Sequence, residues 1–165
     1  MKVAVIGGGS WGTALARLIA RKGHDVSLWV YEESVLRSIR ESHENTLYLP
    51  GISIPERLTA SDQIENVLDS ARFVVFAVPS KYARGILERM APFIRETVPI
   101  VSATKGIETT RLCLISDLIR IVLQRRNTDQ IAVLSGPSFA REVAQESPTA
   151  VTLASTNHRL LLRVQ

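Results

Sequence analysis

Residues 2–12 read KVAVIGGGSWG, a short apolar run that breaks into Gly7, Gly9 and Gly12 at the spacing G-x-G-x-x-G. This spacing is typical of turns that bind a dinucleotide between a strand and a helix. The first glycine allows the tight bend, the second lets the backbone approach a pyrophosphate, and the third lets helix and strand pack closely. The phosphates would lie at the positive end of a helix that begins near Ser10 and Trp11.

The residues around the glycines decide between a nucleotide site and an ordinary turn, because a glycine triplet alone is compatible with both. Residues 3–6 precede the triplet as a buried strand would, and residues 13–21 follow it as a helical stretch. Leu15, Leu18 and Ile19 recur at helical spacing in that stretch. We therefore interpret the segment as a nucleotide-binding turn.

Composition narrows the class of protein. A chain of 165 residues that is 45% hydrophobic can bury the core of one domain. Its single cysteine, Cys113, allows no internal disulfide and no zinc cluster, which favours the cytoplasm. No leader and no membrane-spanning segment is expected. The net charge of +4 includes no long basic block, and a solvated helix end explains the pair Arg125 and Arg126, so we expect no nucleic-acid partner.

Short apolar runs alternate with helical stretches along the rest of the chain. This alternation predicts an α/β protein with a Rossmann-like, doubly wound, mostly parallel sheet flanked by helices and with ligands at the carboxyl ends of its strands. Gly23 should end the first helix, and residues 45–57 form an irregular segment that should be functional or packed onto a neighbour. Further strands are predicted at 25–30, 73–78, 100–103, 131–134 and 149–154, of which the last could pair antiparallel at the edge. Helices are predicted over 32–44, 62–68, 82–94, 112–126 and 158–165.

Polar residues follow three of these strands. Pro79 and Ser80 could line the nicotinamide side of a cleft, or Ser80 could simply cap a helix. Lys105 could bind a phosphate or polarise a carbonyl, or it could be a solvated surface lysine. Ser138 is placed to cap a helix whose free N–H groups would attract an anion, or it could belong to a purely structural turn.

Six segments in this order resemble the bacterial NAD(P)-dependent glycerol-3-phosphate dehydrogenases. The resemblance covers nearly the whole chain, and it implies reversible hydride transfer between NAD(P)H and dihydroxyacetone phosphate. The product would be the sn-glycerol 3-phosphate used in phospholipid synthesis. The segments are IGGGSWGTALA (6–16), NTLYLPGISIP (45–55), VPS (78–80), SATKGIE (102–108), SGPSFAREV (135–143) and PTAVTLAS (148–155).

The resemblance also implies roles for single residues. The family commonly carries His or Arg where Tyr31 stands, and Glu32 follows it here, so the choice between NAD and NADP stays open. A carboxylate at this place would favour NAD, because it accepts from a ribose 2′-hydroxyl and repels a 2′-phosphate. No metal is implied. Cofactor contacts are expected at Gly7, Gly9, Ser10, Trp11, Gly12, Tyr31, Lys105 and Ala140, and substrate contacts at Lys105, Gly136 and Ser138.

Members of this family are about twice as long as this chain, and their second, helical domain carries the general-base lysine. We therefore expect residues 1–165 to form the cofactor domain, with that lysine beyond Gln165, no turnover by the chain alone, and a homodimer possible for the full-length enzyme. Related two-domain dehydrogenases acting on 6-phosphogluconate, hydroxyacyl-CoA or ketopantoate are alternatives that SATKGIE and SGPSFAREV disfavour. A redox-sensing module without catalysis is another, and binding of a phosphate ester would discriminate against it.

Overall fold

The computed structural model describes residues 1–124 and 128–165, and its strands form one sheet. The strands are β1 (Lys2–Ile6), β2 (Asp25–Trp29), β3 (Leu58–Ser61), β4 (Phe73–Phe76), β5 (Ile100–Ser102), β6 (Ile131–Ser135) and β7 (Thr152–Ala154). Their spatial order is β3-β2-β1-β4-β5-β6-β7. Neighbours from β3 to β6 pair parallel, and β7 pairs antiparallel with β6 at the edge.

Helices cover both faces of this sheet. They are α1 (Ser10–Arg21), α2 (Glu33–Ser42), α3 (Ile64–Leu68), α4 (Ser80–Met90), α5 (Ile115–Val122), α6 (Ala140–Ala144) and α7 (His158–Val164). Alternate residues of β1 point to opposite faces: Ala4 and Ile6 pack with α3, α4 and α5, whereas Val3 and Val5 pack with α1, α2 and α7. The predicted doubly wound α/β fold is therefore confirmed.

The strand order reverses beside β1. The chain first winds outward from β1 through β2 to β3, and then returns to place β4 on the other side of β1. In open parallel sheets such a reversal opens a crevice at the carboxyl ends of the two central strands, and ligands bind there. Gly7 follows β1 at this point, and Pro79 follows β4.

The irregular segment after α2 packs onto its neighbours, as expected. Leu49 and Ile52 are buried together with residues of α1 and α6. The buried guanidinium of Arg17, on α1, donates from Nε to Ser53 O (2.9 Å) and from Nη1 to Ala144 O (2.6 Å). The segment is thus attached to the helix that follows the glycine turn. No helix in the ranges described is long and apolar enough to cross a membrane.

Several predicted boundaries were wrong. No strand was predicted over Leu58–Ser61, yet β3 pairs there with β2, because a four-residue, half-exposed edge strand carries little local signal. The helix predicted from residue 112 begins at Ile115, since Glu108 and Cys113 form a bridge and Leu112 has a φ of 51°. The end of that predicted helix, with the pair Arg125 and Arg126, lies outside the described residues. The strand predicted over 149–154 shortens to β7, and the helix predicted over 82–94 shifts to α4.

Candidate functional site

The glycine turn has the geometry that a dinucleotide site needs. Gly7 has a φ of +124°, and a Cβ there would lie 2.6 Å from Ala77 O. A Cβ on Gly12 would overlap Gly7 O, whereas a Cβ on Gly9 would meet nothing within 4 Å. No side chain caps α1, which begins at Ser10. Gly7 and Gly12 are therefore required by the fold, and Gly9 leaves open space beside the free N–H groups of a helix end that attracts phosphate.

Asn45 supports this turn, although no spacing or periodicity in the sequence predicted a role for it. Its side chain is fully buried; Nδ2 donates to Gly8 O and to Thr13 Oγ1, both at 2.9 Å. Asn45 Oδ1 accepts from Tyr48 N at 3.1 Å. A buried asparagine at the start of an irregular segment satisfies several backbone groups at once. The only signal in the sequence was the position of Asn45 at the start of NTLYLPGISIP (45–55).

Trp11 and Lys105 connect the glycine turn to the ends of β5 and β6. Trp11 Nε1 donates to Ala103 O at 2.9 Å, directly after β5. Lys105 Nζ lies 5.2 Å from the centre of the Trp11 ring and donates to Ser138 O at 2.6 Å. The structure thus brings together three residues that the sequence separates widely, and it gives Lys105 partners that a freely solvated lysine would lack.

Gly136 and Ser138 lie on the turn between β6 and α6, and Ala140 comes directly after that turn. Gly136 has a φ of +146°, and a Cβ there would lie 3.1 Å from both Ala150 O and Val151 Cα. Ser138 is 4% exposed, and its N–H donates to Gly136 O at 2.9 Å. Ala140 begins α6 beside this turn. Gly136 and Ser138 therefore form one tight turn next to Lys105, and Ala140 follows that turn as the first residue of α6.

Ser80 and Ser138 do not cap helices, although the sequence suggested this role for both. Phe139 is the last extended residue before α6, so Ser138 lies one residue too early, and its Oγ is 3.4 Å from Lys105 Nζ. Pro79 holds the corresponding position before α4, and Ser80 is already helical. An N-cap residue must itself be non-helical, which excludes Ser80 from that role. Ser80 Oγ instead lies beside Gly106, 3.4 Å from where a Cβ would be.

Glu108 closes the loop that carries Lys105. The residue is 5% exposed, and its Oε2 accepts from Arg111 N at 2.7 Å. Its backbone exchanges two hydrogen bonds with Cys113, and Arg84 Nε of α4 lies 3.8 Å from Oε1. The hydrogen bond from Arg111 N, helped by Thr110 and the charge of Arg84, lowers the pKa of Glu108 although burial opposes this. Ionised Glu108 thus stabilises the loop and its attachment to α4.

Glu108→Gln should lower the melting temperature of the chain at neutral pH, because the amide keeps an acceptor oxygen but loses the charge. Since folding lowers the pKa of Glu108, the ionised carboxylate stabilises the folded chain at pH values above the ordinary pKa of glutamate. This stabilisation is lost as the pH falls through the lowered pKa. The gap between variant and wild type should therefore close on acidification. Circular-dichroism melts over a pH series, with exposed Glu88→Gln as the control, test this; a gap that persists at acid pH would contradict it.

The carboxyl end of β2 lies against the glycine turn. Trp29 O accepts from Gly7 N at 3.2 Å, and a Cβ on Gly8 would lie 2.9 Å from the side chain of buried Val30. Tyr31 follows and is 72% exposed, with its ring 6.2 Å from that of Trp29. The next side chain, Glu32, accepts from Tyr48 OH at 2.9 Å through Oε1. Within the described residues, no three His, Cys, Asp or Glu side chains are grouped as metal ligands would be.

Comparison with known proteins identifies the family. The model of the NAD-dependent glycerol-3-phosphate dehydrogenase N-terminus matches residues 2–161. The glycerol-3-phosphate dehydrogenase [NAD(P)+] of Citrifermentans bemidjiense is 44% identical over 164 residues, which are 99% of this chain and 49% of that protein. The crystal structure of the Coxiella burnetii glycerol-3-phosphate dehydrogenase superposes with a TM-score of 0.90 at 36% identity, over 99% of this chain and 49% of that one.

A ketopantoate reductase, one of the alternative enzymes that the sequence suggested, shares only the fold with this chain. A ketopantoate reductase from Ralstonia eutropha superposes with a TM-score of 0.65 at 22% identity, over 82% of this chain and 41% of that one. The chain spans about half the length of the curated relatives it matches. It belongs to the family of NAD-dependent glycerol-3-phosphate dehydrogenases, whose N-terminal part it matches from residue 2 to residue 161.

Proposed function

We propose that this chain binds NAD(H) or NADP(H) and forms the cofactor-binding part of an enzyme that interconverts dihydroxyacetone phosphate and sn-glycerol 3-phosphate. One observation carries the proposal: the Lys105 ammonium lies 5.2 Å from the ring of Trp11, which belongs to the glycine turn, and 2.6 Å from Ser138 O. A cation for an anionic substrate is thereby placed beside a turn built for a dinucleotide. A redox sensor would need only the turn.

The residues around the turn fit the cofactor. The open space at Gly9 admits a pyrophosphate, and the free N–H groups at the start of α1, from Ser10 and Trp11 onward, would hold it. Tyr31 would border the adenosine end, and Ala140 would border the cofactor from α6. When bound, the nicotinamide donates or accepts the hydride. Gly7 and Gly12 act through the shape of the turn.

Lys105 would hold the substrate together with Gly136 and Ser138. An ammonium group has three donors, and Ser138 O accepts from only one of them at short distance, so Lys105 retains donors for a phosphate or ketone oxygen. The short bond to Ser138 O orients the ammonium before a substrate arrives. The positive φ of Gly136 and the buried position of Ser138 keep this side of the site compact.

The proposal assigns the acid–base lysine to the part of the relatives that this chain does not cover. Reduction of a ketone needs a proton donor at the developing alkoxide, and a positioned acid typically contributes about 10²- to 10⁴-fold in rate. A role in phospholipid synthesis, a cytoplasmic location and a homodimer of the complete enzyme belong to the same proposal. They rest on the family resemblance.

Titration of the chain with NADH, and then with glycerol 3-phosphate, tests the proposal. NADH and glycerol 3-phosphate are the reduced members of their two redox pairs, so no hydride transfer between them consumes either ligand. Lys105→Met should weaken glycerol 3-phosphate binding at least about tenfold, because charge-assisted hydrogen bonds are worth about 1.5–3 kcal/mol, and should weaken NADH binding less.

Lys81→Met, which removes a lysine stacked on the Tyr82 ring of α4, is the matched control and should bind both ligands as wild type does. A folded wild-type chain that binds neither NADH nor NADPH would refute the cofactor site. Equal affinity of wild type and Lys105→Met for glycerol 3-phosphate would refute the substrate role of Lys105.

A further inference from the structure

A chain of hydrogen bonds runs from the glycine turn to Glu32. Gly8 O accepts from Asn45 Nδ2 at 2.9 Å, and Asn45 Oδ1 accepts from Tyr48 N at 3.1 Å. The Tyr48 hydroxyl then donates to Glu32 Oε1 at 2.9 Å. The segment after α2 therefore spans two parts of the candidate site, the phosphate-binding turn and the end of β2.

Glu32 follows the carboxyl end of β2, which lies against the glycine turn. It follows Trp29 and Val30, which contact Gly7 and Gly8, and it lies twenty positions after Gly12. In dinucleotide-binding folds an acidic residue about 20 residues after the glycine motif reaches the ribose 2′-hydroxyl. Glu32 is also the residue that precedes α2, yet its side chain makes no capping hydrogen bond to that helix. Its carboxylate is turned toward Tyr48 instead.

Tyr48 is suited to hold this carboxylate. Its backbone is fixed by Asn45, and its hydroxyl is a donor. Donation to Glu32 raises the pKa of Tyr48, with smaller contributions from burial and from the negative charge of Glu32. The phenol therefore stays protonated over the physiological range. One Glu32 oxygen is engaged by Tyr48, and a carboxylate has a second oxygen that can accept from a ligand.

We propose that Tyr48 is a positioning residue for cofactor choice: it fixes the Glu32 carboxylate beside the adenosine ribose, so that the chain prefers NAD(H) to NADP(H). This inference rests on the proposed nucleotide site. A 2′-hydroxyl donates to the carboxylate, whereas a 2′-phosphate meets a fixed like charge. The preceding side chain, Tyr31, is uncharged and offers the phosphate no compensation.

The test is calorimetric titration of the chain with NADH and with NADPH. Wild type should bind NADH at least about tenfold more tightly, since the fixed carboxylate repels the like charge of a 2′-phosphate. Glu32→Gln should bring the two affinities close together, mainly by tightening NADPH. Tyr48→Phe should reduce the ratio in the same direction but less, because the carboxylate stays and only its tether is lost.

The double variant separates positioning from a general structural effect. Adding Tyr48→Phe to Glu32→Gln should leave the NADH to NADPH ratio unchanged, because Tyr48 acts through Glu32. Glu33→Gln, which removes the exposed neighbouring charge, and Tyr82→Phe, which removes an exposed hydroxyl on α4, should keep the wild-type ratio. Thermal melts of each variant verify the fold, and Glu32→Gln tests the inference even where Tyr48→Phe does not fold.

Either of two results would overturn this inference and leave the proposed function standing: equal affinity of wild type for NADH and NADPH, or an unchanged ratio in folded Tyr48→Phe. A preference for NADPH that Arg37→Ala removes would also overturn this inference, since Arg37 is the exposed cation further along α2. Folded wild-type chain that binds neither dinucleotide would instead refute the proposed function, and this inference with it.

Discussion

Gly9→Val should abolish binding of NAD(H) and NADP(H) while the chain keeps its fold. The φ of Gly9 is −71° with an extended ψ, a conformation that any residue adopts. A Cβ added at Gly9 would have no other atom within 4 Å. The fold therefore tolerates a side chain there, but that side chain occupies the space of the pyrophosphate. We expect a loss of at least about a hundredfold in affinity, or about 2.8 kcal/mol, by calorimetry.

Two other glycines provide controls for this prediction. Gly85 also has open space around it, on α4, so Gly85→Val should fold and bind as wild type does. Gly12→Ala should instead destabilise the chain, because its Cβ would overlap Gly7 O. Equal affinity of Gly9→Val and wild type would show that the pyrophosphate does not lie at this turn.

Asn45→Asp should destabilise the chain by about 3–5 kcal/mol at neutral pH, the range for an uncompensated charge in a protein interior. The substitution keeps the shape of the side chain but removes both donors, and it places a carboxylate against Gly8 O in a fully buried position. Chemical denaturation at neutral pH measures the loss. We expect it to exceed that of any single surface substitution tested in parallel.

The pH dependence of the same variant provides a second measurement. Burial raises the pKa of the introduced carboxyl above its value in the unfolded chain. The penalty should therefore be smallest at low pH, where the neutral acid can donate to Gly8 O, and should grow as the pH rises. Asn157→Asp is the control: Asn157 caps α7 with Oδ1, which aspartate does equally well, so only the bond from Nδ2 to Asp129 O is lost. Similar losses in both variants would contradict a special role for Asn45.

Local pattern was sufficient for much of the fold. The apolar run of β1, the glycine spacing and the helical periodicity of α1 lie within about twenty consecutive residues, so the local pattern is enough to recognise them. The alternation of apolar runs and helical stretches likewise implied a parallel sheet, whose strand ends had to meet at one edge. Lys105 and Ser138 could therefore be singled out at the ends of strands, but position alone left a solvated lysine and a structural turn open, and only the family resemblance predicted that they belong to the site.

The shape of the site depends on partners far apart in the chain. Gly8 is 37 residues from Asn45, and Trp11 is 92 residues from Ala103. No periodicity encodes such pairs, because each hydrogen bond exists only once the sheet order and the path of the segment after α2 are set. The same reason explains why the Glu108 loop was missed. β3 was missed because a short edge strand carries little local signal, and Ser138 was mistaken for a helix cap because it lies one residue before the position that precedes α6.

The sequence by itself thus determined the glycine-rich turn after β1, the doubly wound sheet and the strand ends that carry polar residues, since these follow from local spacing and from the general rules of parallel sheets. Only the tertiary structure decided that Asn45 supports the turn, that Glu108 closes the lysine loop and that Tyr48 holds Glu32. Buried polar groups must find partners wherever packing puts them, and packing is a property of the whole chain.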